Sequence, residues 1–128
     1  MKKTSNELHF IRCIQKHQDF FGLQNWRIVI EEQDVEDCKA STYWGDIDAA
    51  GQIVKICYSK SWINHADTNL FEVDKTAFHE VCEVLFCKLN WLARNTTFVR
   101  QDREVIAEVH GIIRLLENKF FPLTKGLK

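Results

Sequence analysis

Phe78, Val81, Leu85, Leu89 and Leu92 recur at intervals of three and four residues. That spacing lines one face of a helix and predicts one over residues 74–93, with Asp74 able to cap it. A second stripe, Val105, Ile106, Val109, Ile112, Ile113 and Leu116, predicts a last helix from about Asp102 to Lys119. The polar stretch Arg94-Asn95-Thr96-Thr97 separates the two, and Pro122 and Gly126 end the ordered chain. A first helix is expected over residues 5–21, capped by Thr4 or Ser5, with Glu7 in its first turn and Gly22 as its stop.

Between these helices the period changes to two. Trp26, Ile28 and Ile30 alternate with Arg27, Val29 and Glu31, which predicts a strand over residues 26–32. The acidic stretch from Glu31 to Asp37 has no EF-hand order and reads as a solvated turn. Residues 38–45 and 52–58 predict two more strands, joined as a hairpin by the turn at 46–51. Trp62, Ile63, Leu70 and Phe71 are expected to pack on the core from a mixed connection over 59–73. The order is α-β-β-β-α-α, an α+β fold with a three-stranded sheet packed on helices, in a single domain over 1–128.

Composition then narrows the function. Seventeen Lys+Arg against eighteen Asp+Glu give a formal net charge of −1, which argues against a protein that grips phosphate backbones, so no nucleic-acid partner is expected. No apolar run approaches a membrane span, and no apolar signal core comes after MKKTSNELHF, so neither membrane insertion nor secretion is expected. Cys13, Cys38, Cys57, Cys82 and Cys87 are odd in number and form no CxxC pair, which suits reduced thiols in a cytoplasm. His9, His17 and His65 have no partner spacing and read as surface or core polar residues.

One constellation carries chemistry. In Phe78-His79-Glu80-Val81-Cys82-Glu83, His79 and Glu83 are four residues apart and share a helix face, with Glu80 a quarter turn away. This is the HExxH zinc helix with glutamate in place of the second histidine. In that design the i, i+4 pair holds a metal and the intervening glutamate moves a proton to and from water. Cys82 is expected to pack in the core. A third ligand must come from elsewhere, and antiparallel packing of the last helix is its natural source. Asp102 shares the inward stripe with Val105 and Ile106, Glu104 lies just off it, Glu108 further round, and His110 two turns deeper. The order of expectation is Asp102, Glu104, Glu108, His110.

These residues resemble a small family of phage-borne metallopeptidase-like proteins related to minigluzincins. The matching segments are GLQNWRIVI (22–30), ASTYWGD (40–46), QIVKICYS (52–59), TAFHEVCEVLF (76–86) and QDREVIAEV (101–109). They cover nearly the whole chain in order. The resemblance implies a small zincin-like domain in which His79 is the first metal ligand, Glu80 the catalytic glutamate, and Asp102 or Glu104 the acidic third ligand. Glu83 stands where the family has a second histidine, which implies one imidazole and two carboxylates around the metal. Such a set weakens selectivity for Zn2+, makes Mn2+ more competitive and acidifies bound water less; loss of the metal is the remaining alternative. The resemblance implies one of two functions. One is a metal-dependent peptidase acting on a peptide or protein substrate laid along a sheet edge, formed by 38–45 or by 52–59. The other is an inactive pseudo-peptidase that binds a protein partner, as a phage factor acting in the host cytoplasm.

Overall fold

The structure is a computed structural model. It describes residues 2–33, 38–43, 52–87, 89 and 99–127, with the backbone alone at 99–102, 104 and 105. Along the chain run α1 (Ser5–Phe20), β1 (Arg27–Glu32), β2 (Ala40–Tyr43), β3 (Ile53–Tyr58), α2 (Lys60–Ile63), α3 (Leu70–Leu85) and α4 (Val99–Lys119), succeeded by a 3-10 turn at Phe121–Thr124. This is the expected α+β order with the short α2 added. The hairpin turn at 46–51, the end of the second predicted strand at 44–45, and Leu92 lie outside the described residues.

Helix α1 starts on a capping box. The Thr4 hydroxyl accepts from the Glu7 amide at 3.2 Å, and the Glu7 carboxylate accepts from the Thr4 amide at 3.0 Å, so two end donors are satisfied at once. The other oxygen of Glu7 accepts from the Tyr58 hydroxyl at 2.5 Å, tying the start of α1 to the end of β3. Burial works to raise the Glu7 pKa, but its hydrogen bonds from Tyr58 and Thr4 hold it below the usual carboxylate value.

The sheet order is β1-β3-β2. β1 runs parallel to β3, with Ile28 opposite Val54 and Ile30 opposite Ile56; β2 runs antiparallel, with Ala40 opposite Tyr58 and Thr42 opposite Ile56. β3 is therefore central, and its consecutive Ile56, Cys57 and Tyr58 are all fully buried, as a strand covered on both faces requires. Of the two segments expected to form a substrate-accepting edge, 52–59 is thus excluded, and β2 is the edge strand beside α3.

Helix α3 begins before the predicted cap. Asn69 caps it, its Oδ1 accepting from the Glu72 amide at 2.8 Å, and Asp74 lies inside the first turns. There Asp74 receives His17 Nε2 at 2.6 Å and Lys16 Nζ at 2.9 Å from α1. Leu85 and Leu89, expected in the buried stripe, are 37% and 59% exposed, whereas Val84 and Cys87 are fully buried and Phe86 packs on the second core, so burial follows a different line of residues here. Leu70 and Phe71 are exposed as well, while Ile63 is buried and Trp62 packs against the core. A first core joins α1, the sheet and α3 through Phe10, Ile14, Val54, Ile56, Val73 and Val81. A second joins α3 to α4 through Phe78, Cys82, Val109, Ile113 and Phe121. Burying each large side chain contributes about 1.5–3 kcal/mol. Cys82 is buried here, as expected, and burial pushes its thiol pKa up, away from a metal-binding thiolate.

Candidate metal centre

The second core sets the register of α4 on α3. Glu83 meets His110, whereas His79, one turn earlier, meets Glu117, nearly two turns later, so the helices run antiparallel. Val109 and Ile113 are the buried pair on α4, and His110 stands beside Val109 at the edge of that contact. The His110 Nε2–Glu83 Oε1 distance is 2.7 Å and the His79 Nε2–Glu83 Oε1 distance is 3.6 Å. The two imidazole rings lie 5.8 Å apart at an interplanar angle of 33°. One ligand atom from each of His79, Glu83 and His110 lies within 4.8 Å of the others, the one such group among the described residues.

This donor set can hold a metal ion. Ligands about 2.0–2.2 Å from a tetrahedral ion stand about 3.3–3.6 Å from one another. The His79–Glu83 separation falls at that value; the His110–Glu83 pair is closer, at hydrogen-bond length, and has to open by under about 1 Å. Two imidazoles and one carboxylate, with the fourth position left for water or substrate, is a donor set found in catalytic zinc sites. The resemblance implied one imidazole and two carboxylates; the described cluster is the reverse, because His110 joins it.

Asp102 and Glu104 stand on the α4 backbone eight and six residues before His110, about 12 and 9 Å along the axis, and their side chains lie outside the described residues. Glu108 is exposed. His110, last in the order of expectation, is the α4 residue that reaches the pair. Glu117 is not among the residues that the sequence singles out; its Oε1 lies 3.7 Å from His79 Nδ1. The available signal is the seven-residue interval between His110 and Glu117, which puts both on one face of α4.

The charges are strongly coupled. Pairing with Glu83 raises the His79 pKa above its ordinary value, against the opposing effect of burial. Burial works to raise the Glu83 pKa, but His79 and His110 together hold it below the usual carboxylate value. Glu80 behaves differently. It is only 6% exposed, and burial pushes its pKa up to about 7, against the opposing pull of His79 and of the Thr42 hydroxyl. Thr42 Oγ1 on β2 lies 2.8 Å from Glu80 Oε1 and 3.2 Å from the Glu80 carbonyl oxygen. The edge strand thereby holds the carboxylate in place.

Two adjoining clefts meet at His79 and Glu80. One, of about 380 Å³, is lined by Thr42, Glu83, Val109 and His110. The other, of about 370 Å³, lies toward Lys39, Lys75 and Glu117. A carboxyl group near neutral pKa, beside a His–Glu–His cluster and under an edge strand, can exchange a proton with a molecule in either cleft. The chain matches no known family model, no curated protein and no solved structure.

Proposed function

We propose that this protein is a small metal-dependent peptidase. The observation that carries the reading is the His79–Glu83–His110 cluster opening on a cleft, with the buried Glu80 carboxyl beside it, its pKa raised by burial. The two imidazoles favour zinc over manganese. When bound, zinc would polarise a peptide carbonyl and acidify water. Glu80 removes a proton from the attacking water and returns it to the leaving amine, a role suited to a group that titrates near neutrality. Thr42 keeps the Glu80 carboxyl from turning away, and β2, which pairs with no strand other than β3 among the described residues, offers main-chain groups to an extended peptide. Glu80→Gln removes the proton carrier and leaves the metal ligands in place. The expected outcome is loss of cleavage of a mixed peptide library with zinc affinity retained; cleavage at the parent rate rejects this mechanism.

The direct His110–Glu83 hydrogen bond favours a second reading, in which the cluster satisfies itself and the domain is an inactive protein-binding module. That reading expects no zinc in the purified protein, no rise in melting temperature on adding zinc, and a partner that stays bound in chelator. Elemental analysis with zinc and manganese titrations separates the two.

A further inference from the structure

His79 is held from both sides of its ring. Nε2 faces Glu83 at 3.6 Å on its own helix, and Nδ1 faces Glu117 at 3.7 Å across the gap to α4. A neutral imidazole carries one N–H and one lone pair, so only one of these nitrogens can bind a cation while the other donates. The distances decide which: Nε2 is the nitrogen that faces Glu83 Oε1, the atom His110 also meets, and Glu117 stands outside the group of His79, Glu83 and His110. Glu117 is well shielded, its side chain 14% exposed, and Ile113, fully buried between it and His110, anchors that face of α4 against α3. An approach of about 1 Å brings its oxygen to hydrogen-bond length from Nδ1.

We infer that Glu117 is a positioning residue for His79: it accepts a hydrogen bond from Nδ1–H and thereby fixes the tautomer and ring orientation that turn the Nε2 lone pair toward Glu83 and His110. The inference rests on the metal-centre reading above. It explains why a seven-residue interval on one helix supplies both a ligand and a carboxylate. His110 donates its nitrogen to the cluster, and Glu117, two turns on, orients the other imidazole. Carboxylates placed behind metal-binding histidines raise metal affinity about 10–100-fold.

The test is zinc titration of the full chain against a chromophoric chelator, with cobalt absorption as a second readout. Glu117→Leu is expected to weaken zinc binding about 10–100-fold. Glu117→Gln keeps a carbonyl acceptor at the same reach and is expected to lose less than Glu117→Leu but more than about twofold, with the melting temperature of the metal-free protein unchanged. The cobalt spectrum of Glu117→Gln keeps its intensity, because the three ligands are intact. Zinc affinity within twofold of the parent in Glu117→Gln and Glu117→Leu, alongside lost binding in His110→Ala, overturns the role of Glu117 and leaves the metal centre standing. Absence of zinc binding by the parent overturns both. Should Glu117→Leu not fold, Glu117→Gln decides alone by the same twofold criterion.

Discussion

Asp74 and His79 stand five residues apart on α3, about 140° apart round its axis, and each anchors a cluster of imidazole and carboxylate. At Asp74 the cluster is closed. His17 is fully buried and Lys16 half-buried, and both reach one carboxylate, which burial works to raise and their hydrogen bonds pull down to a pKa of about 2. Phe78 and Phe121 wall in the His17 ring. At His79 the same chemical groups line an open cleft, with carboxylates in excess over what the histidines need and one buried carboxyl near neutral pKa. The first arrangement uses its carboxylate to join α1 to α3. The second has charge and space left for a visitor. Residue type alone does not separate a structural pair from a chemical one; closure does.

Breaking the closed cluster has the largest effect. Asp74→Ala strands a buried histidine and a lysine, and is expected to lower unfolding free energy by about 3–5 kcal/mol in urea titrations, with zinc affinity per folded molecule unchanged. His79→Ala or His110→Ala should do the opposite, costing more than about 100-fold in zinc affinity while barely moving the metal-free melting temperature. A large stability loss in His110→Ala, or a loss of zinc binding in Asp74→Ala, erases the distinction between the two clusters.

Glu80→Gln sharpens it. The fold favours the protonated Glu80 carboxyl, since its folded pKa of about 7 exceeds the ordinary 4.5. Metal-free stability should therefore fall as pH rises from 4.5 through 7, by up to about 3 kcal/mol, and Glu80→Gln should recover most of that at pH 8. A stability cost of this kind is what the proposed proton carrier requires. Asp74 has the opposite sign. Its pKa lies below the ordinary 3.8, so its contribution is complete above that pH and is lost as pH falls through about 2, by about 2 kcal/mol. Urea titrations of parent and Asp74→Asn across acid pH read this smallest effect, and equal acid limbs in both proteins contradict it.

His79, Glu80 and Glu83 are legible in the sequence because their relation is local: four residues on a helix fix a shared face whatever the helix packs against. The three strands and the helix at the end of the chain are legible by the same kind of periodicity. The meeting of His110 and Glu117 with that face is not, because it depends on how Phe78 and Cys82 seat against Val109 and Ile113, a register that the periodicity of neither helix contains. Asp74 has the side chain of a cap and a helical stretch after it, but Asn69, five residues earlier, has both as well, and the helix starts there. Leu85 and Leu89 continue the apolar stripe in sequence, but the described structure buries Val84 and Cys87 there instead.

Helix α4 rests on α3 by a narrow seam, the few apolar side chains around Phe78 and Ile113 flanked by the His–Glu contacts. A metal ion held between His79 and His110 would therefore work as a rivet through that seam. With such an ion in place α4 would be pinned to α3; in chelator the two helices would be held by those apolar side chains and the His110–Glu83 hydrogen bond, and α4 is expected to be cut by a protease sooner than in zinc.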